Sequence, residues 1–80
     1  MNIFSLDYFT DSIDKALKDG EIRPAAMPQT NVLNAEYALG KYHAIIDIMS
    51  QLFDYNVIAG IHEKYRSTID SLTERANTIY

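Results

Sequence analysis

The chain is 80 residues long, contains no cysteine, and carries seven basic against eleven acidic residues, for a formal net charge of −4 at pH 7. This length predicts a single domain over residues 1–80 with a marginal core, since so short a chain buries only about 60% of the surface that its unfolded form exposes. The lack of cysteine excludes disulfides, thiolate metal sites and a cysteine nucleophile, and the acidic balance opposes binding to nucleic acid or anionic lipid.

The chain shows no pattern for secretion or for crossing a membrane. Its first residues, MNIFSLDYF, have no basic residue ahead of the apolar positions and include Asp7, unlike a secretory leader. A spanning helix requires about 20 mostly apolar residues, and Asp47 interrupts the best candidate segment. We therefore expect a soluble cytoplasmic protein with no membrane partner.

The first predicted helix covers about residues 5–19 and has one apolar face. Ser5 is a favourable N-cap, Asp7 suits the positive end of the helix, and Phe4 and Phe9 stand at the two positions of a hydrophobic staple. Gly20 is a natural stop after the last turn. The apolar face recurs at steps of three and four residues and comprises Leu6, Phe9, Ile13, Ala16 and Leu17.

Residues 20–30 are predicted to form the one long loop. Pro24 and Pro28 both fall within it, and each removes an amide donor and biases the preceding residue away from helix. About ten residues suffice to carry the chain around the domain, and we expect Ile22 or Met27 to pack inward and anchor the loop.

The remaining residues predict either two helices, over about 31–53 and 55–79, or one unbroken helix. At about 100° per residue, the apolar stripe around Ile46 lies roughly 160° from the stripe around Tyr65. A continuous rod would point these stripes in nearly opposite directions, whereas a turn at the sequence FDYN lets them face each other, with Asp54 or Asn56 as the cap of the last helix. We therefore predict an all-α, three-helix arrangement in which a short N-terminal helix packs on a long antiparallel helical hairpin.

The second helix is apolar around roughly 220° of its circumference, against about 100° for one-sided packing. One stripe suits the core and comprises Ala35, Leu39, Tyr42, Ile46, Met49 and Phe53, and beyond it lie Tyr37, Ala38, Ala44, Ile45, Ile48 and Leu52. Either the other two helices cover both flanks, or part of the second flank is buried by another protein. For the latter interpretation, the partner-binding residues are Tyr37, Gly40, Lys41, Ala44 and Ile48.

The last helix has apolar residues at a spacing of seven. This spacing is typical of a coiled-coil seam, which is either the internal contact of the hairpin or a surface for self-association. The residues concerned are Ile58, Tyr65, Leu72 and Ile79, with Ile61, Thr68 and Arg75 at the complementary positions.

No catalytic or metal-binding pattern emerges from the two histidines. His43 shares a polar face with Glu36 and Asp47, but a zinc site needs three or four ligands at fixed geometry and no further ligand is identifiable. His62, in the sequence GIHEKYR, lacks the second histidine of a zincin motif. We interpret His43 as a solvated surface residue and His62 as a helix-packing residue, and we predict no metal, no cofactor and no enzyme activity.

Together these features favour a small protein–protein interaction module that self-associates through its helical hairpin. An adaptor, a regulator or an inhibitor of a partner protein would fit, and virus-encoded inhibitors of host machinery match this description as a class. The alternative is an oligomer that sequesters a small anionic ligand such as a nucleotide, with arginine for phosphate and tyrosine for base stacking. Its ligand-binding residues are Lys64, Tyr65, Arg66 and Arg75, unless Arg66 simply pairs with Asp70 one turn on.

Overall fold

The computed structural model describes residues 5–78, and over this range the chain forms three α-helices. They are α1 (Leu6–Lys18), α2 (Pro28–Leu52) and α3 (Tyr55–Ala76). α2 and α3 pack closely as a hairpin, and α1 packs on α2. The predicted all-α, three-helix arrangement is thereby confirmed, and the alternative of one unbroken helix from residue 31 onward is excluded.

The start of α1 is fixed by its cap. The side chain of Ser5 accepts a hydrogen bond from the amide of Tyr8 at 3.2 Å, which satisfies one of the amides that a helix leaves free at its first turn. Phe9, Ile13, Ala16 and Leu17 are buried as predicted, whereas Leu6 at the end of the stripe is 39% exposed. Phe4, the other half of the predicted staple, lies outside the described residues.

The connection between α1 and α2 is shorter than predicted, because α2 begins at Pro28. Proline is favoured in the first helical turn, where its missing N–H costs no hydrogen bond. Ile22 and Met27 do not anchor this connection, since they are 64% and 68% exposed. The Asn31 side chain holds it instead, accepting a hydrogen bond from the Arg23 amide at 2.9 Å and donating one to the Arg23 carbonyl at 3.2 Å.

Two residues, Phe53 and Asp54, reverse the chain between α2 and α3. Both have extended backbone. The Asp54 carboxylate accepts a hydrogen bond from the Val57 amide at 3.2 Å, so of the two predicted caps it is Asp54, and not Asn56, that caps α3. The ring of Phe53 packs edge-on against Phe9 with 5.8 Å between centroids, which fixes the first turn of α1 beside the hairpin turn.

The core lies where the three helices meet. Its α3 members, Ile61, Tyr65 and Leu72, belong to the predicted seam, and Ile58 packs partly buried against the core. These seam residues form the internal contact of the hairpin, whereas Thr68 is exposed and Ile79 lies outside the described residues. The other core members are Phe9, Ile13 and Leu17 from α1 and Ala35, Ala38, Tyr42, Ile46 and Met49 from α2.

Hydrogen bonds from buried tyrosines tie the helices together at the edge of this core. The hydroxyl of Tyr65 donates to the Asp14 carboxylate at 2.7 Å and so joins α3 to α1. The hydroxyl of Tyr42 lies 3.0 Å from Nδ1 of His62 and joins α2 to α3. Burial is the first cause that raises the pKa of both tyrosines, and for Tyr65 the hydrogen bond to Asp14 and the charge of that carboxylate add to it.

The raised pKa of Tyr65 predicts a dependence of stability on alkaline pH. In the unfolded chain a tyrosine loses its proton near pH 10, while the folded chain still holds the Tyr65 proton. The stabilisation from this hydroxyl is therefore complete below about pH 10 and is lost as the pH rises through the folded-state pKa. We expect Tyr65→Phe to cost about 1 kcal/mol at pH 7, through the lost hydrogen bond, and to flatten the fall in stability above pH 10.

Urea unfolding at a series of pH values measures both effects. Tyr55→Phe is the matched control, because Tyr55 is 82% exposed and its hydroxyl changes environment little on folding. If the free energy of unfolding fell as steeply above pH 10 in the Tyr65→Phe variant as in the unaltered chain, the assignment of the buried proton to Tyr65 would be wrong.

Candidate protein-binding face

One side of α2 is exposed and apolar along most of its length. This side, called the α2 face below, steps along the helix at intervals of three and four residues and comprises Leu33, Tyr37, Gly40, Ala44, Ile48 and Leu52. Its four large side chains, at positions 33, 37, 48 and 52, are 62%, 61%, 52% and 45% exposed. The α2 face lies opposite the residues that α2 contributes to the core, because α1 and α3 both pack on that other side.

The predicted second flank of α2 is divided between the core and this face. Ala38 is fully buried, and Ile45 is partly buried against the core. Ala44 and Ile48, one helical step away, are exposed. The interpretation in which the other two helices cover the whole of the second flank is therefore wrong, because α1 covers only the part of the flank that lies nearest to it.

A shallow depression of about 580 Å³ occupies the N-terminal half of the α2 face. Gly40 forms part of its floor, and a Cβ atom at this position would meet nothing within 4 Å. Glycine within a helix costs about 1 kcal/mol relative to alanine, and no contact inside the described chain makes use of the missing side chain. The other residues that line the depression are Leu33, Glu36, Tyr37, Lys41 and Ala44.

Lys41 connects the α2 face to the end of α1. Its Nζ atom donates to the Asp19 carboxylate at 2.6 Å and lies 4.3 Å from the centroid of the Tyr37 ring. The hydrogen bond to Lys41 lowers the pKa of Asp19 from its ordinary value, and the same bond raises the pKa of Lys41. An exposed ion pair of this kind adds little to stability.

The structure brings the predicted partner-binding residues onto one surface. Tyr37, Gly40, Lys41 and Ala44 line the depression, and Ile48 follows one turn after Ala44. The sequence interpretation missed Leu33, which extends the surface toward the start of α2 and is 62% exposed. Leu33 stands four residues before Tyr37, which places both on the same side of a helix. This spacing in the sequence could have identified Leu33 as part of the surface.

The residues predicted for a small anionic ligand do not come together within the chain. Tyr65 is 6% exposed, with its hydroxyl bound to Asp14, so its ring is not free to stack on a base. Arg66 forms an ion pair with Glu63 at 2.9 Å rather than with Asp70. Lys64 is exposed and lies with its Nζ atom 5.4 Å from the Tyr65 ring centroid.

Arg75 is separated from the other three ligand-binding candidates. It lies nine residues beyond Arg66, about 14 Å along the helix axis, where its guanidinium donates to the Gly20 carbonyl. It lines a groove of about 300 Å³ between α3 and the end of α1, to which Lys64, Tyr65 and Arg66 do not contribute.

The two histidines lie on different helices, and the ring of each packs edge-on against Tyr42. His43 is exposed on α2. His62, on α3, packs edge-on against Tyr42 with 6.1 Å between ring centroids, in keeping with the predicted packing role. Within residues 5–78 there is no group of three or more histidine, aspartate and glutamate side chains placed to hold a metal ion.

None of the helices within the described range is both long enough and apolar enough to cross a bilayer. Comparisons of the chain with protein-family models, with curated proteins and with solved structures each found no match.

Proposed function

We propose that this protein is a non-enzymatic protein–protein interaction module, an adaptor, regulator or inhibitor, that binds its partner through the α2 face. The observation that carries this proposal is the row of large apolar side chains, 45–62% exposed, on the free side of a helix whose other side is buried in the core. A helix that packs on one side ordinarily carries polar residues on the other. Contiguous apolar surface on a small protein marks a contact site.

The α2 face also has the composition of a binding surface. Tyr37 offers a large ring with a polar end, which is the kind of anchor that dominates binding energies at interfaces. Gly40 and Ala44 beside it are small enough for another backbone to approach closely. The charged residues Glu36 and Lys41 stand at the edges of the depression, which matches the apolar centre and polar rim of protein interfaces.

We also assign the protein to the cytoplasm as part of this proposal. Small secreted domains depend on disulfides, and this sequence contains no cysteine.

Photo-crosslinking at two exposed tyrosines tests the binding role of the α2 face. Tyr37 lies on the face, and Tyr55 lies beside the hairpin turn with 82% of its surface exposed. Each is replaced in turn by benzoylphenylalanine, and the protein is illuminated in the cells that produce it. We expect the variant at position 37 to form protein adducts, to its own copy or to another protein, that are absent for position 55.

Far-UV circular dichroism of both variants establishes that they fold alike. Equal adduct patterns at the two positions, or no adduct at position 37, would refute the assignment of the α2 face as a binding surface.

A further inference from the structure

We propose that the partner on the α2 face is a second copy of this chain, with the two α2 helices side by side and parallel. This assignment of the partner depends on the proposed binding role of the α2 face. The length of the face and the small size of the chain favour a copy of this chain, and the charges at the two edges of the face favour the parallel direction.

The two edges of the α2 face differ in charge. Steps of about 100° per residue place Glu36 and Asp47 on one side of Ala44, and Lys41 on the other. The Lys41 edge is extended by Lys15 of α1, since both lysines and Ala44 line one groove of about 360 Å³. Asp19 in that groove pairs with Lys41, and Asp7 and Asp11 line a further groove with Lys15. The Lys41 edge therefore carries charges of both signs, whereas Glu36 and Asp47 give the other edge two carboxylates.

This difference in charge makes the face complementary to itself in one orientation. A two-fold axis that runs along two parallel helices brings the edge with Lys41 of each chain against the edge with Glu36 of the other. Glu36 and Lys41 are five residues apart, which is the offset at which edge charges meet across two parallel helices. In an antiparallel pair, each edge would lie against its own copy, and Glu36 and Asp47 would face carboxylates.

The length of the face and the small size of the chain also favour a second copy. Leu33 and Leu52 are 19 residues apart, which corresponds to about 29 Å of helix, and the whole molecule is 40 Å long. Gly40 at the centre has open space beside it, so two helices can approach closely there. A chain of this size without disulfides has a marginal core, and sharing apolar surface with a copy enlarges it.

Disulfide trapping tests both the partner and the direction. Because the natural chain has no cysteine, Leu33→Cys and Ala44→Cys each introduce a single thiol. In a parallel two-fold pair every residue at the centre of the face meets its own copy, so both variants form disulfide-linked dimers under mild oxidation. An antiparallel pair allows this only where the helices cross, and positions 33 and 44 are about 16 Å apart along the axis. Gly60→Cys, on α3 and also in open space, is the control that stays monomeric.

Charge reversal tests the edge contacts without any oxidation. In a parallel dimer, residue 36 of each chain faces residue 41 of the other, so there are two such contacts. Glu36→Lys and Lys41→Glu each put like charges at both contacts, and we expect each substitution to weaken self-association at least about tenfold. An equimolar mixture of the two variants restores both pairs across the interface and recovers dimers within a few-fold of the unaltered affinity. Light scattering over about a hundredfold range of concentration measures association, and circular dichroism checks that Lys41→Glu, which loses Asp19 as a partner, stays folded.

The possible outcomes separate this inference from the proposed function. Dimers trapped at both Leu33→Cys and Ala44→Cys, with rescue in the mixture, would establish the parallel pair. Trapping at one of the two positions, or no rescue in the mixture, would overturn the parallel arrangement. The protein could also be a monomer at all concentrations and form photo-adducts from position 37 only to a different protein. That result would overturn a second copy as the partner, while the binding role of the α2 face would still hold.

Discussion

Replacing Ile13 with alanine is expected to lower the free energy of unfolding by about 2–5 kcal/mol, because the surrounding side chains cannot close the cavity that it leaves. Ile13 is fully buried and is among the largest side chains without exposure. Globular proteins have a net stability of only about 0.05–0.15 kcal/mol per residue, so this loss removes a large part of the stability of an 80-residue chain. Urea unfolding followed by far-UV circular dichroism measures it.

Ile48→Ala is the matched control for Ile13→Ala. The same atoms are deleted, but Ile48 lies on the α2 face and is 52% exposed, so we expect a change within about 0.5 kcal/mol. The comparison is made at a protein concentration low enough for the monomer to dominate, because association through the α2 face would stabilise the unaltered chain. Equal losses for the two variants would mean that residue 48 also belongs to the core.

The helix ends were predictable from the sequence where a capping side chain marks them. Ser5 and Asp54 each bond to an amide three residues ahead, and such a contact depends only on local chain geometry. The hairpin was predictable from the directions of the two apolar stripes. Each direction follows from the sequence of its own helix alone. Pro28 shows the limit, since the same residue suits a loop or a first helical turn, and the tertiary path of the chain decides between them.

The binding face was predicted only in part, because an apolar arc does not reveal where a neighbouring helix lies upon it. Ala38 and Ile45 are covered, whereas Ala44 and Ile48 from the same flank are exposed. That division depends on the line along which α1 crosses α2. The anchoring of the loop by Asn31, eight residues from Arg23, depends likewise on the path of the chain and has no signal in the periodicity.

Gly20 is needed for a different reason from the one that its position after α1 predicts. A glycine that ends a helix commonly adopts a positive φ angle, but no described glycine does so here. Gly20 instead lies where α1 ends against both α2 and α3. A Cβ atom added at this position would stand 2.7 Å from Cβ of Ala38 and 2.7 Å from Cδ2 of Leu72. The missing side chain therefore lets the three helices meet.

We expect Gly20→Ala to lower the free energy of unfolding by about 1–3 kcal/mol, the cost of overpacking a closely packed core. Leu72 can turn its side chain only within a filled space, and Ala38 can move only if α2 moves. This cost outweighs the 0.4–1 kcal/mol or so by which alanine in place of glycine stabilises a compatible site. Urea unfolding measures the change, and a crystal structure of the variant would show whether α1 has shifted away from α2.

At the other two glycines, Gly40 and Gly60, we expect alanine to raise the free energy of unfolding and not to lower it. Each of them lies within a helix where an added Cβ atom would meet nothing within 4 Å. Alanine at either position is expected to stabilise the monomer by up to about 1 kcal/mol. Gly40→Ala should in addition weaken self-association, since the new methyl group enters the α2 face, whereas Gly60→Ala should leave it unchanged. If Gly20→Ala also stabilised the protein, the three helices could not meet as closely at residue 20 as described. If Gly40→Ala associated as strongly as the unaltered chain, two α2 helices would not approach each other closely at Gly40.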